Sequence, residues 1–212
     1  MGREPQQKRK LRDAQATRDE ILRVATEEIA GKGLHAARVE EIAARTATSK
    51  NMIYYYFGSK DGLYAAVLER AYADFRAAEE GFDYEALDPE AALAALAGNT
   101  FDSHLRNPHV VRILMTENLD LGRHAHQVDH ARQRQLVIAT TQRILDRGAA
   151  AGVFRPGSDA LQFHLTISAL SFFFVGNRYT FSVVFEYDMT DPAVIAARRA
   201  EIIEVMLSRY RA

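Results

Sequence analysis

The chain has 212 residues, 48% hydrophobic and 26% charged, with a net charge of −1 and no cysteine. That length buries a real core in one domain or two modest ones, while disulfides, thiol catalysis and cysteine-based zinc sites are excluded. No run of about 18 apolar residues suggests a membrane span, and the opening MGREPQQKRKLR lacks the apolar stretch of a signal peptide, so the cytoplasm is the expected location.

Charge is unevenly spread. Residues 1–60 hold twelve Lys/Arg and eight Asp/Glu, and the remaining 152 hold fifteen and twenty. A basic first part on an acidic body suits a protein that meets nucleic acid with one end. Residues 1–16 carry Arg3, Lys8, Arg9, Lys10 and Arg12 without apolar periodicity. They read as a basic flexible arm, either solvated or reaching DNA phosphates or a minor groove. A first helix is predicted from Thr17, as N-cap, with Ile21, Val24, Ala25 and Ile29 as its buried stripe and Gly33 as its left-handed stop.

The stretch RVEEIAARTATSKNMIYYYFGSK, from Arg38 to Lys60, holds two short helices with a tight break at Thr46–Thr48. Val39, Ile42 and Ala43 share one face of the first helix, and Ile53, Tyr56 and Phe57 share one face of the second. Lys50, Asn51, Met52, Tyr54 and Tyr55 are left outward. That outer face suits a DNA major groove: Lys50, Asn51 and Tyr54 can address base edges, while Tyr55, Tyr56 and Lys60 can hold phosphates. Tyr56 also fits the buried stripe. The arrangement is that of a helix-turn-helix whose second helix reads.

This segment resembles the DNA-binding domain of the TetR family of one-component bacterial regulators. The resemblance is carried by Ile42-Ala43, the turn, Ser49-Lys50-Asn51-Met52-Ile53-Tyr54-Tyr55-Tyr56-Phe57 and Gly58-Ser59-Lys60. It implies DNA-contacting roles for Ser49, Lys50, Asn51, Met52, Tyr54, Tyr55 and Tyr56 and a phosphate held by Lys60 with the backbone amides of a helix that Ser59 caps. The chain departs from the family pattern in three places. Ala37-Arg38 replaces the usual capping Thr or Ser, leaving Arg38 as a phosphate contact; Ala47 replaces the turn glycine; Met52 replaces a threonine on the DNA face.

The fourth helix, striped by Tyr64, Leu68, Ala71 and Phe75, is predicted to reach about Glu80. Further helices are predicted from Pro89 to about Leu105, from Pro108, and from about His126 to Ala151. A turn at 151–157 leads to an all-round apolar helix from Asp159 to about Val175, and a last helix follows Pro192. The fold class is all-α, about nine helices, organised as an arm (1–16), a DNA-binding domain (17–62) and a helical effector-binding and dimerisation domain (63–212).

The resemblance implies a homodimer built from the final two helices, with Phe163, Ile167, Phe174, Ile195, Ile202 and Met206 as the expected interface. It also implies a pocket for a small, partly apolar effector, with Asn99, His104, Glu117, Asn118, Gln142, His164 and Asn177 as candidate polar anchors. The reading is a ligand-responsive repressor of a palindromic operator, with no cofactor and no membrane partner. Two alternatives stand beside it. One is a DNA-binding protein without an effector. The other is a metal-dependent enzyme using His124, His126 and His130, which lacks the general-base carboxylate of an H-E-x-x-H motif.

Overall fold

A computed structural model describes residues 3–77, 81–128 and 131–212. Among them are nine α-helices: α1 (Arg3–Lys32), α2 (Val39–Arg45), α3 (Lys50–Phe57), α4 (Lys60–Ala77), α5 (Pro89–Arg106), α6 (Pro108–Leu119), α7 (Ala131–Ala150), α8 (Ala160–Val184) and α9 (Pro192–Tyr210). A 3-10 turn at Ala125–Gln127 precedes α7, and among the described residues β pairing is limited to an isolated bridge between Phe154 and Arg211. The expected end of α4 near Glu80 lies outside the described residues.

The chain forms two compact units: Met1–Ala71 with Arg112–Val128, and Tyr72–Val111 with Asp129–Ala212. The first therefore takes in a segment, the end of α6 and the turn after it, that the sequence assigns to the body.

In the first unit, Ile21, Val24 and Ala25 of α1 are buried, as are Ile42, Ile53, Leu63, Tyr64 and Ile113. Helix α1 does not begin at Thr17. Its backbone is helical from Arg3, and the Thr17 hydroxyl donates to the Asp13 carbonyl 2.9 Å away, four residues back inside the helix. The first sixteen residues, read as a flexible arm, are thus mostly helix, in keeping with a run of Gln, Lys, Arg and Ala that favours it, and Pro5 falls in the first turn where its missing N–H costs nothing. The side chains of Arg3, Lys8, Arg9 and Lys10 lie outside the described residues. Gly33 closes α1 at φ +80°, its N–H on the Ile29 carbonyl.

An ion-pair network fixes α1 against α2. The buried Glu28 carboxylate meets Lys32 at 2.6 Å and Arg45 at 3.3 Å, Arg45 also reaches Glu27, and Lys32 also reaches Glu41. A carboxylate with this little water needs cations on it, and here two are supplied.

The second unit packs α5 against α7, α8 and α9 around Leu93, Phe101, Ile144, Phe154, Phe163 and Met206. Asp88, Asp159 and Asp191 cap α5, α8 and α9 by accepting first-turn amide hydrogens, with Pro89 and Pro192 next in line. Helix α8 runs nine residues past the expected Val175, through Gly176 and Asn177. By length and composition it could cross a membrane, with a mean hydropathy of 1.2. Here Phe163, Ile167 and Phe174 along it belong to the core.

Candidate nucleic-acid interface

The reading helix is set by local chemistry at both ends. Ser49 opens α3 by accepting the Met52 amide hydrogen at 3.2 Å, and Gly58 closes it at φ +75°. Arg38 stands at the N-cap of α2 without a side-chain cap, as its identity requires. Ala47 holds φ +49° in the turn, a left-handed conformation that costs a residue with a Cβ about 1–2 kcal/mol. The Ser59 hydroxyl accepts the Gly62 amide at 2.9 Å, and a Cβ on Gly62 would collide with the Phe57 carbonyl. Close approach of α4's first turn to the end of α3 therefore requires that glycine.

Ile53 and Phe57 are buried, and the Arg18 guanidinium of α1 lies 5.1 Å from the Phe57 ring centre. Lys50, Asn51 and Met52 are exposed, and Tyr55 is 79% exposed. Tyr54 and Tyr56 are half-buried; Tyr56 packs edge-on to Tyr55 at 5.4 Å and beside Phe57 at 6.3 Å. Its phenol therefore belongs partly to each face, as its place in the stripe predicts. Arg38 is exposed, and Lys60 is half-buried with Nζ 3.4 Å from the His35 carbonyl oxygen. Lys50 reaches across from α3 to α2, Nζ 2.5 Å from Glu40 Oε1 and 5.7 Å from the Tyr54 ring centre. Sequence reasoning missed Glu40, because an acidic residue in a helix's first turn reads as ordinary dipole complementarity.

Residues 21–67 match the family described as bacterial regulatory proteins, tetR family, and residues 89–206 match the tetracyclin repressor-like C-terminal domain. The chain is 36% identical over 183 residues to the HTH-type transcriptional repressor NicS of Pseudomonas putida, covering 86% of each protein. The chain belongs to the TetR family of bacterial transcriptional regulators. It is also 31% identical to the HTH-type transcriptional repressor SCO4008 of Streptomyces coelicolor over 58% of this chain and 60% of that one. Among solved structures, SCO4942 of Streptomyces coelicolor superposes with a TM-score of 0.69 at 29% identity, over 92% of this chain and 98% of that one. A TetR regulator from Chloroflexus aurantiacus shares the fold, with a TM-score of 0.66 at 18% identity over 94% and 98% of the two chains.

The candidate effector residues of this TetR-family chain fall in different places. Glu117 and Asn118 belong to the first unit, and Asn99, His104, Gln142, His164 and Asn177 to the second. Glu117 is buried: Oε1 accepts the amide hydrogens of His124 and Ala125 at 2.6 and 2.8 Å, and Oε2 lies 3.3 Å from His124 Nδ1. Gln142 is equally occupied, donating to Asp146 and to the Ser158 carbonyl and accepting from the Ala160 amide, so it closes the turn between α7 and α8. Both serve the fold. Asn118 and Asn177 turn back onto the Leu114 and Phe173 carbonyls of their own helices. His164 is exposed on α8. Asn99 donates to the Tyr84 hydroxyl at 3.1 Å. His104 is buried against Phe75, ring centres 4.7 Å apart, with Nδ1 2.8 Å from the Thr100 carbonyl. Burial pushes its imidazole below the ordinary range, which keeps it neutral at pH 7.

The expected interface residues lie for the most part in the interior of the single chain. Phe163, Ile167, Phe174, Ile202 and Met206 are buried in the protomer's own core, and Ile195 packs partly against it. The apolar stripe left open on α8 is Leu161, Leu165, Ala169 and Phe173, four positions at a spacing of i, i+4 that share one face.

Of the three clustered histidines, His124 is buried, edge-on to Tyr64 at 4.8 Å, and His126 is exposed in the 3-10 turn, while His130 lies outside the described residues. Among the described residues no three His, Asp or Glu side chains are placed to hold a metal.

Proposed function

We propose that this TetR-family chain is a cytoplasmic, ligand-responsive repressor that binds a near-palindromic operator as a homodimer. The observation that carries the reading is α3: its apolar side chains Ile53 and Phe57 are buried while Lys50, Asn51, Met52 and Tyr55 stand exposed. A capped eight-residue helix whose outer face carries an ammonium, an amide and a phenol matches what a major groove offers. Lys50, Asn51 and Tyr54 read base edges; Arg38, Tyr55, Tyr56 and Lys60 hold phosphates. The similarity to two HTH-type transcriptional repressors supports repression.

The homodimer rests on α8. Leu161, Leu165 and Phe173 are each more than half exposed on one stripe, an arrangement that a second copy with the same stripe covers by two-fold symmetry. Leu165→Glu together with Phe173→Glu is expected to give a monomer by sedimentation with the helical circular dichroism unchanged. A double variant that still sediments as a dimer would move the interface off this face.

The effector is a small, partly apolar molecule that meets the second unit at His104, whose imidazole lies 4.7 Å from the Phe75 ring centre and 6.3 Å from that of Phe172, and at Asn99, beside the Tyr84 hydroxyl. It releases DNA only by binding the DNA-incompetent conformation more tightly, since equal affinity for both shifts nothing.

A further inference from the structure

Helix α3 carries a single charged residue, Lys50, at its first position. Among the described residues the carboxylates of α1 and α2 pair mainly with cations of those two helices: Glu20 and Glu27 with Arg23, Glu28 with Lys32 and Arg45, Glu41 with Lys32. Glu40 differs. It crosses the turn to take Lys50 at 2.5 Å, and its carboxylate depends on that ammonium, which lowers its pKa while the lysine's is raised in return. We propose that Glu40 sets the sequence selectivity of DNA binding by competing with DNA for Lys50, discouraging unspecific phosphate contacts more than contacts to a fitting base edge.

The argument rests on the reading of α3 given above. An exposed ion pair is weak and screened, so it yields to a better acceptor and not to a poor one. On an arbitrary duplex Lys50 gains one phosphate by leaving Glu40, and the abandoned carboxylate then faces the polyanion. On the operator, a guanine O6/N7 edge offers the ammonium fixed acceptors that repay the exchange. A carboxylate at this position therefore subtracts more from unspecific than from specific binding, and selectivity is that difference.

The test uses the full-length chain, an operator recovered by selection from random duplexes, and a scrambled duplex of equal length. Glu40→Gln keeps the shape and removes the charge. On the scrambled duplex it is expected to tighten binding about fivefold per subunit at 0.15 M salt and to steepen the log K against log salt slope by about 0.9 per subunit. The operator gains less, so the selectivity ratio falls. In a Lys50→Ala background Glu40→Gln relieves only the carboxylate's own repulsion and tightens binding clearly less than it does with Lys50 present. Equal tightening with and without Lys50 would reduce Glu40 to a plain repulsive charge and overturn the proposal, as would unchanged binding to both duplexes. A wild-type chain that selects no duplex overturns the reading of α3 together with this one, and shows itself before any substitution is made.

Discussion

Glu117→Ala is expected to lower the melting temperature by about 6–12 °C, corresponding to about 3 kcal/mol at about 2–4 °C per kcal/mol for a chain of this size. The substitution takes the 2.6 Å acceptor from the buried His124 amide and one acceptor from the Ala125 amide, which also donates to the Gly122 carbonyl, and it removes the carboxylate 3.3 Å from His124 Nδ1. His124 is then left with Asp120 at 3.7 Å and Asp61 of α4 at 3.7 Å, neither within hydrogen-bond distance. Because Glu117 ties the end of α6 to the turn that carries His124, and His124 in turn faces the first turn of α4, the loss falls on the unit that holds α3. Glu117→Gln retains an acceptor for the amides and is expected to lose less than the alanine variant. Thermal melts within about 2 °C of wild type for Glu117→Ala would show that the carboxylate carries little of this unit's stability.

The second large effect is on recognition. Asn51→Ala removes an exposed amide able to pair with adenine N6/N7, a contact worth about 1–3 kcal/mol of discrimination against a wrong base. A two-fold symmetric complex loses it twice. Operator affinity is expected to fall by that amount at each half-site while affinity for a scrambled duplex stays within about twofold, because no phosphate contact has been touched. Titrations in which operator and scrambled duplex weaken alike would assign Asn51 to the backbone.

How much of this was legible in the sequence depends on how local the deciding interaction is. Ser49, Gly58 and Ser59 act on amides and carbonyls within a few residues of themselves, so α3 and the start of α4 follow from the chain alone. Thr17 has the same donor chemistry but two local uses, capping or bonding back to a carbonyl four residues earlier, and here it takes the second. Glu117 and Gln142 are candidate ligand anchors through the family resemblance, and their neighbours in the sequence do not show what each bonds to. Gln142 is satisfied by Ser158 and Ala160, beyond a turn whose path the sequence does not specify. Helix α8 is a different case. It is apolar on nearly every face, so periodicity cannot say that Phe163, Ile167 and Phe174 point inward while Leu161, Leu165 and Phe173 remain open.

The central claim is that the outer face of α3 reads DNA in a two-fold symmetric complex. Selection of bound duplexes from a random pool by the purified full-length chain tests it most directly. The account predicts an inverted repeat whose half-sites are centred about one helical turn apart, ~34–36 Å, or a small multiple of it. Recovery of no common sequence, or of a single unrepeated half-site, would contradict it.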